Sequence, residues 1–225
     1  MTARGVRRAS VISSIAVLLV AGGCYWLIGG EGHRLKREIA KHTSMAEIHW
    51  AAANYEGAAD EYRAIIELEP QFAQAYLGLG NCLNRLGRYR EAVEAYKKAV
   101  ALEPDVYDFR FNLGVSLARA KEYAAAAAAL ERAAALRPDE AEVYIYWGSA
   151  LRDAGDYRGA AAALARALVL EPSNTFAHLN MALTLEGIDA ERAAAEWRLV
   201  RDAKDAPASW QEMAAERLSE LGGAH

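Results

Sequence analysis

The chain has 225 residues, a quarter of them charged, and a formal net charge of −4. That slightly acidic balance argues against nucleic acid as a partner, because binding it selects for a basic domain. The apolar 53% is heavy in alanine, a helix former with little to offer a sheet, and there are only five prolines and no strand-like alternation, so an all-α chain of one domain and an appendage is expected.

Residues 1–9 read as a basic tail with Arg4, Arg7 and Arg8. From Ser10 to Ile28 there is no formally charged side chain after them. As a helix that run would be roughly 28 Å long, close to the hydrocarbon thickness of a bilayer. Tyr25 and Trp26 stand near its far end, where amphipathic rings favour the interface. Residues 10–30 are therefore expected to form a transmembrane signal-anchor helix, and residues 31–38 a juxtamembrane linker loosened by Gly32. Two other readings fit the same segment. "VAGGC" ends on Cys24 as a lipoprotein signal would, and a cleaved secretory signal has a similar layout. The three arginines favour a cytoplasmic amino terminus and a periplasmic bulk, but Arg34, Lys36, Arg37 and Lys41 follow closely and keep the cytoplasmic side open. Cys24 and Cys82 lie in segments of different kind, so no disulfide between them is expected.

Pro70, Pro104, Pro138 and Pro172 recur every 34 residues. The stretches before three of them align without a gap: "AQAYLGLGNCLNRLGRYREAVEAYKKAVALEP" from Ala73, "YDFRFNLGVSLARAKEYAAAAAALERAAALRP" from Tyr107 and "AEVYIYWGSALRDAGDYRGAAAALARALVLEP" from Ala141. This pattern resembles the tetratricopeptide repeat, whose unit is an antiparallel helix pair of that period. The resemblance implies an all-α, right-handed α-solenoid over residues 39–206. Its units would be about 39–72, 73–106, 107–140, 141–174 and 175–206. The first is a loose match, keeping Ala58, Tyr62 and Pro70. The last keeps Met181, Ala182, Leu185, Ala193 and Trp197, with one residue missing in "EGID". Residues 207–225 would supply a capping helix and tail, with Trp210, Met213, Ala214, Arg217 and Leu221 at helical spacing.

The shared positions have a physical reading of their own. Gly80, Gly114 and Gly148 fall mid-helix, where glycine costs about 1 kcal/mol against alanine, so another helix is expected to approach closely there. Ala92, Ala126 and Ala160 are the expected facing residues, with Leu79, Leu113, Trp147, Tyr96, Leu130 and Leu164 filling the space beside them. Gly87 and Gly155 suit the left-handed turn that ends a helix. "RAKEY" puts Lys121 at that place and no glycine marks the turn near Ala53, so poorer termination is expected before the alanine-rich second helix of the third unit.

No catalytic constellation emerges, and no cofactor or metal is assigned. "GLGN" and "GSALRDAG" lie inside repeat helices and match no phosphate-binding loop. His42, Met45 and His49 share a helical face, which reads as a helix joining membrane and repeats. Asp153 and Asp156 sit at a turn, where aspartate caps helices.

The resemblance implies that the first helix of each unit lines a concave groove. The corresponding positions are Gln74, Leu77, Asn81, Asn84 and Arg85; Asp108, Phe111, Asn112, Val115 and Arg119; Glu142, Ile145, Tyr146, Ser149 and Arg152; and Phe176, Leu179 and Asn180. Such a mixture suits an extended peptide or a partner helix. Asn81 and Asn112 match the asparagines of the carboxylate clamp found in some members of the family, but Leu77, Glu142 and Tyr146 stand where that clamp needs basic residues. On the second helices, Ala125, Ala128, Ala129, Ala162 and Ala163 are expected to face outward as a second docking face, for self-association or a membrane partner. The expected function is non-catalytic protein binding at a membrane. The anchor-then-repeats layout resembles bacterial envelope proteins of cytochrome c maturation, secretion or pilus assembly.

Overall fold

The structure, a computed structural model, describes residues 32–222. The tail, the anchor segment 10–30 and Cys24 lie outside the described residues. Among the described residues every regular element is a helix, and none is long and apolar enough to cross a membrane.

Two compact units divide at Pro70. In the first, α1 (residues 32–51) turns into α2 (Tyr55–Leu68). Ala46, Ala58, Ala59 and Ile65 are buried, and His42 Nδ1 of α1 lies 2.6 Å from Glu61 Oε2 of α2. The second unit holds α3 (Ala73–Arg85), α4 (Tyr89–Leu102), α5 (Tyr107–Arg119), α6 (Tyr123–Leu136), α7 (Ala141–Asp153), α8 (Tyr157–Leu170), α9 (Thr175–Leu185), α10 (Ala190–Asp202) and α11 (Ala208–Gly222). Each helix packs on its sequence neighbour, and α3, α5, α7 and α9 also touch in series. Within this unit the odd-numbered helices α3 to α9 thus form one layer and α4, α6, α8 and α10 the other.

Small residues set the distance between the layers. A Cβ on Gly148 would lie 2.6 Å from Leu164 Cγ and 3.1 Å from the Ala160 carbonyl oxygen. The neighbour pressing on this glycine is therefore Leu164 and the α8 backbone, rather than the Ala160 side chain. Ala126, Leu130 and Ala133 of α6 are fully buried, so the alanine tract is an ordinary packed helix on its inner side.

Four of the five pairs are closed by the same turn; between α9 and α10 the Asp189 amide instead donates to Leu185, four residues back. Gly87 and Gly155 have φ of 75° and 91°, and the amides of Arg88 and Asp156 donate to the carbonyls five residues back. Lys121 adopts φ 65° and Ala53 φ 55°, with Glu122 and Asn54 donating in the same pattern. The expectation of a poorly terminated turn before α6 is thus corrected: the bonds are all made, and the cost sits in a non-glycine residue held left-handed. Asp156 caps α8 by accepting from the Gly159 amide, whereas Asp153 pairs with Arg152 instead.

Trp197 is fully buried in the last pair, its indole N–H donating to Glu186 at 2.8 Å. In α11, Ala214 is buried and Trp210, Leu218 and Leu221 pack on the same core, so this helix covers the end of the stack. Met213, expected to join them, is 38% exposed.

Candidate functional site

An aromatic row crosses the layer of odd-numbered helices. Tyr107 stacks on Phe111 of the same helix with centroids 5.5 Å apart. Phe111 meets Tyr146 of α7 edge to face at 5.4 Å, and Tyr146 meets Phe176 of α9 at 6.4 Å. Phe176 in turn stacks on Trp210 of α11 at 5.7 Å. Arg137 lies over the Tyr107 ring at 4.3 Å. Burial, with the Glu140 and Glu142 charges adding to it, pushes the Tyr107 phenol up to about 12.

Phe111, Tyr146 and Phe176 were expected at the groove by register, and the fold brings them together. Tyr107 and Trp210 were not. Tyr107 stands one helical turn before Phe111, and the repeat spacing carried one step past Phe176 ends on Trp210. Both signals were available in the chain.

Charges flank the row in a fixed sense. Gln74, Asp108 and Glu142 are exposed in the first turns of α3, α5 and α7, while Arg85, Arg119 and Arg152 occupy the last turns. In α5 and α7 acid at the start and base at the end complement the helix dipole, whereas α3 starts on the neutral Gln74 and has only the terminal base. Asp108 lies 3.9 Å from Arg137, and Arg119 rests over Tyr89 at 5.7 Å.

Other expected groove residues have structural employment. Ile145 and Leu179 are 2% and 6% exposed in the core, so they support the row from below rather than face it. Leu77 and Val115 are half-buried. Asn81 accepts from the Tyr96 hydroxyl at 2.6 Å. Asn84 donates to Tyr96 at 3.1 Å and to Ser116 at 2.8 Å, and Ser116 donates to the Asn112 carbonyl. The amide orientation of Asn84 follows, because both hydroxyls already donate elsewhere. Its amide oxygen is left buried with no hydrogen-bond partner. Burial drives the Tyr96 phenol well above its ordinary range. Asn112 Nδ2 donates to the Asp108 carbonyl of its own helix. A second bridge joins α7 to α9, where Ser149 and Arg152 both donate to Asn180 Oδ1, at 2.7 and 3.0 Å. Of the asparagines expected to meet a ligand, Asn84 and Asn180 thus bridge adjacent repeats, while Asn81 and Asn112 bond within their own unit.

On the second helices Ala125, Ala128 and Ala162 are exposed as expected, but Ala129 and Ala163 are 9% and 5% exposed. That expectation is corrected for these two: they lie on the helix flank that the next pair covers. His42 and His49 engage Glu61 and Asn54, and no group of three or more metal-ligating side chains of His, Cys, Asp or Glu occurs among the described residues.

The tetratricopeptide-repeat family model matches residues 43–101 and 85–141, a span that covers α2 to α6 and half of α1. Residues 43–141 belong to the tetratricopeptide-repeat family. Among curated proteins none matches the chain. Solved tetratricopeptide-repeat folds resemble it at low identity. YrrB, a tetratricopeptide-repeat protein with an unusual peptide-binding site, is 23% identical with a TM-score of 0.69, over 78% of this chain and 90% of that one. MamA from Desulfovibrio magneticus RS-1 is 20% identical with a TM-score of 0.70, over 75% and 98%. TTC0263, a thermophilic tetratricopeptide-repeat protein from Thermus thermophilus, is 18% identical with a TM-score of 0.59, over 80% and 99%. At such identities the likeness is one of fold.

Proposed function

We propose that this chain is a membrane-tethered, non-catalytic interaction module that holds an extended segment of a partner protein along its aromatic row. The observation carrying this reading is the unbroken series Tyr107, Phe111, Tyr146, Phe176 and Trp210, with neighbouring centroids 5.4–6.4 Å apart. Alternate side chains of an extended strand recur every ~6.6 Å, so successive ones would find Phe111, Tyr146, Phe176 and Trp210 in turn, with the buried Tyr107 backing Phe111. Aromatic faces supply large contact area at low entropy cost, as interfaces prefer. Glu142, exposed beside the row, favours a basic side chain in the segment. YrrB, a protein of the same fold, has a peptide-binding site, which supports reading this chain as a binder of peptide segments.

The tether is the uncharged run from Ser10 to Ile28, and the arginines before it favour the periplasmic side for the repeats. The partner process then lies in envelope assembly, secretion, or cytochrome or pilus biogenesis.

A photoreactive phenylalanine analogue at Phe176, and another at Lys98 on the opposite layer, tests the groove in intact cells. Adducts from position 176 mapping to one extended stretch of a partner, with none from position 98, are expected. No adduct at 176, or equal labelling from both, would overturn the reading. Alkaline carbonate extraction and protease accessibility in spheroplasts test the tether and its orientation. Release of the protein by carbonate would remove the anchor.

A further inference from the structure

The layer of even-numbered helices holds a furrow that the groove does not use. Between α6 and α8 the walls carry Ala128 and Ala162 where larger side chains would close the gap. Tyr144 and Trp147 of α7 therefore form the floor of a hollow of about 540 Å³. Glu131 stands on the α6 wall and Arg166 on the α8 wall, both exposed. Neither makes an ion pair or hydrogen bond among the described residues. The preceding pair differs. On α4, Glu94 pairs with Lys97 at 2.8 Å and Glu91 with Arg88, the residue before the helix, at 2.6 Å, so the acids of that face already have cationic partners.

We propose that a second copy of this chain occupies the furrow. Two such surfaces mesh about a two-fold axis that runs along the furrow, parallel to the helices, with α8 of each copy facing α6 of the other. Small walls permit this, because helices lined with alanine approach to roughly 8 Å. The residues that face the other copy are on one stripe of α8, where Ala162, Arg166 and Val169 are spaced by four and three; Val169 is 67% exposed. The charges then decide the occupant. A two-fold operation brings Arg166 of each copy against Glu131 of the other, so both unpaired charges are satisfied at once and twice. One acid and one base on facing walls, unpaired with each other, is the arrangement that such a self-complementary contact requires. A uniformly basic or acidic foreign helix would leave one of them opposed to a like charge.

Sedimentation equilibrium of the full-length chain in density-matched detergent tests the proposal. The wild-type chain is expected to dimerise as concentration rises. Glu131→Arg alone and Arg166→Glu alone should each weaken the dimer about tenfold or more, since like charges then face one another. The double exchange should restore it, because the pairs re-form with reversed polarity. Both residues are exposed, so thermal melts of the single variants should match the wild type and exclude misfolding. A chain monomeric at every concentration, as a foreign occupant of the furrow would leave it, overturns the proposal. So does a dimer indifferent to the single reversals, or one the double exchange does not recover.

Discussion

Phe176 and Trp210 stack with their ring planes 23° from parallel, joining the last repeat's first helix to the helix that follows the array. The terminal helix is therefore both a cover for the core and the far end of the aromatic row. Trp210→Ala removes the stack and much of α11's grip on α9. A half-buried tryptophan in this setting is worth about 2–3 kcal/mol. The expected result is a lower urea midpoint together with faster amide exchange in α11. Groove adducts formed from position 176 should also fall. Loss of stability with adducts unchanged would show α11 to be a cover alone.

Gly148 tests the close approach of α7 and α8. Alanine at an ordinary mid-helix position gains about 1 kcal/mol over glycine. Here the added methyl would meet Leu164 Cγ at 2.6 Å and the Ala160 carbonyl oxygen at 3.1 Å, and a backbone carbonyl has little freedom to move. Overpacking costs of about 1–3 kcal/mol exceed the propensity gain. Gly148→Ala should therefore destabilise the protein in equilibrium denaturation. A gain in stability would mean that the helix pair separates without strain.

The repeat period made the helix pairs, their turns and their packed inner faces legible, because glycine, alanine, leucine and proline recur at positions whose physics is local. The alanine tract shows where that legibility ended. Ala125 and Ala129 are chemically identical, so hydropathy cannot mark the flank of α6 that the next pair covers. Only the packing of α7 against α6 separates them. The asparagines show a second limit. Register places Asn81 and Asn84 toward the groove, but Tyr96 stands where the next two repeats carry Leu130 and Leu164. A buried phenol needs partners, and Asn81, Asn84 and Ser116 supply the network around it. The hint was the coincidence of polar residues around a single tyrosine, which a position-by-position comparison of repeats hides.

Lys121 offers a stabilising substitution. Its φ of 65° is adopted by Gly87 and Gly155 in the equivalent turns at no side-chain cost. The left-handed conformation costs an L-residue roughly 1–2 kcal/mol, partly offset by the lower unfolded-state entropy of a non-glycine residue. Lys121→Gly should stabilise by about 1 kcal/mol and raise the melting temperature by about 2–4 °C. The reverse exchange, Gly155→Lys, should lower it by a similar amount. Calorimetry of the pair checks both directions, and an unchanged Lys121→Gly variant would place the strain elsewhere.

His178 makes the last repeat pair pH-sensitive. Its Nδ1 lies 2.6 Å from Glu196 Oε2 on α10, and its Nε2 lies 2.9 Å from the Pro172 carbonyl oxygen before α9. Both neighbours only accept, so a neutral ring can satisfy one of them and only the imidazolium satisfies both. The hydrogen bond to Glu196 is the main cause that raises the His178 pKa above its ordinary 6.5, and the Pro172 carbonyl adds to it, against desolvation. A folded-state pKa above the unfolded one gives stability that is fully present below pH 6.5 and is lost as pH rises through the folded value. A hydrogen bond to a charged group of this kind contributes about 1–2 kcal/mol. His178→Gln can donate to only one of the two acceptors and does not titrate. The difference in denaturation midpoint between wild type and this variant should therefore be largest in mildly acidic buffer and shrink as pH rises past neutrality. A difference that stays constant across that range would show His178 to be held by packing rather than by its charge.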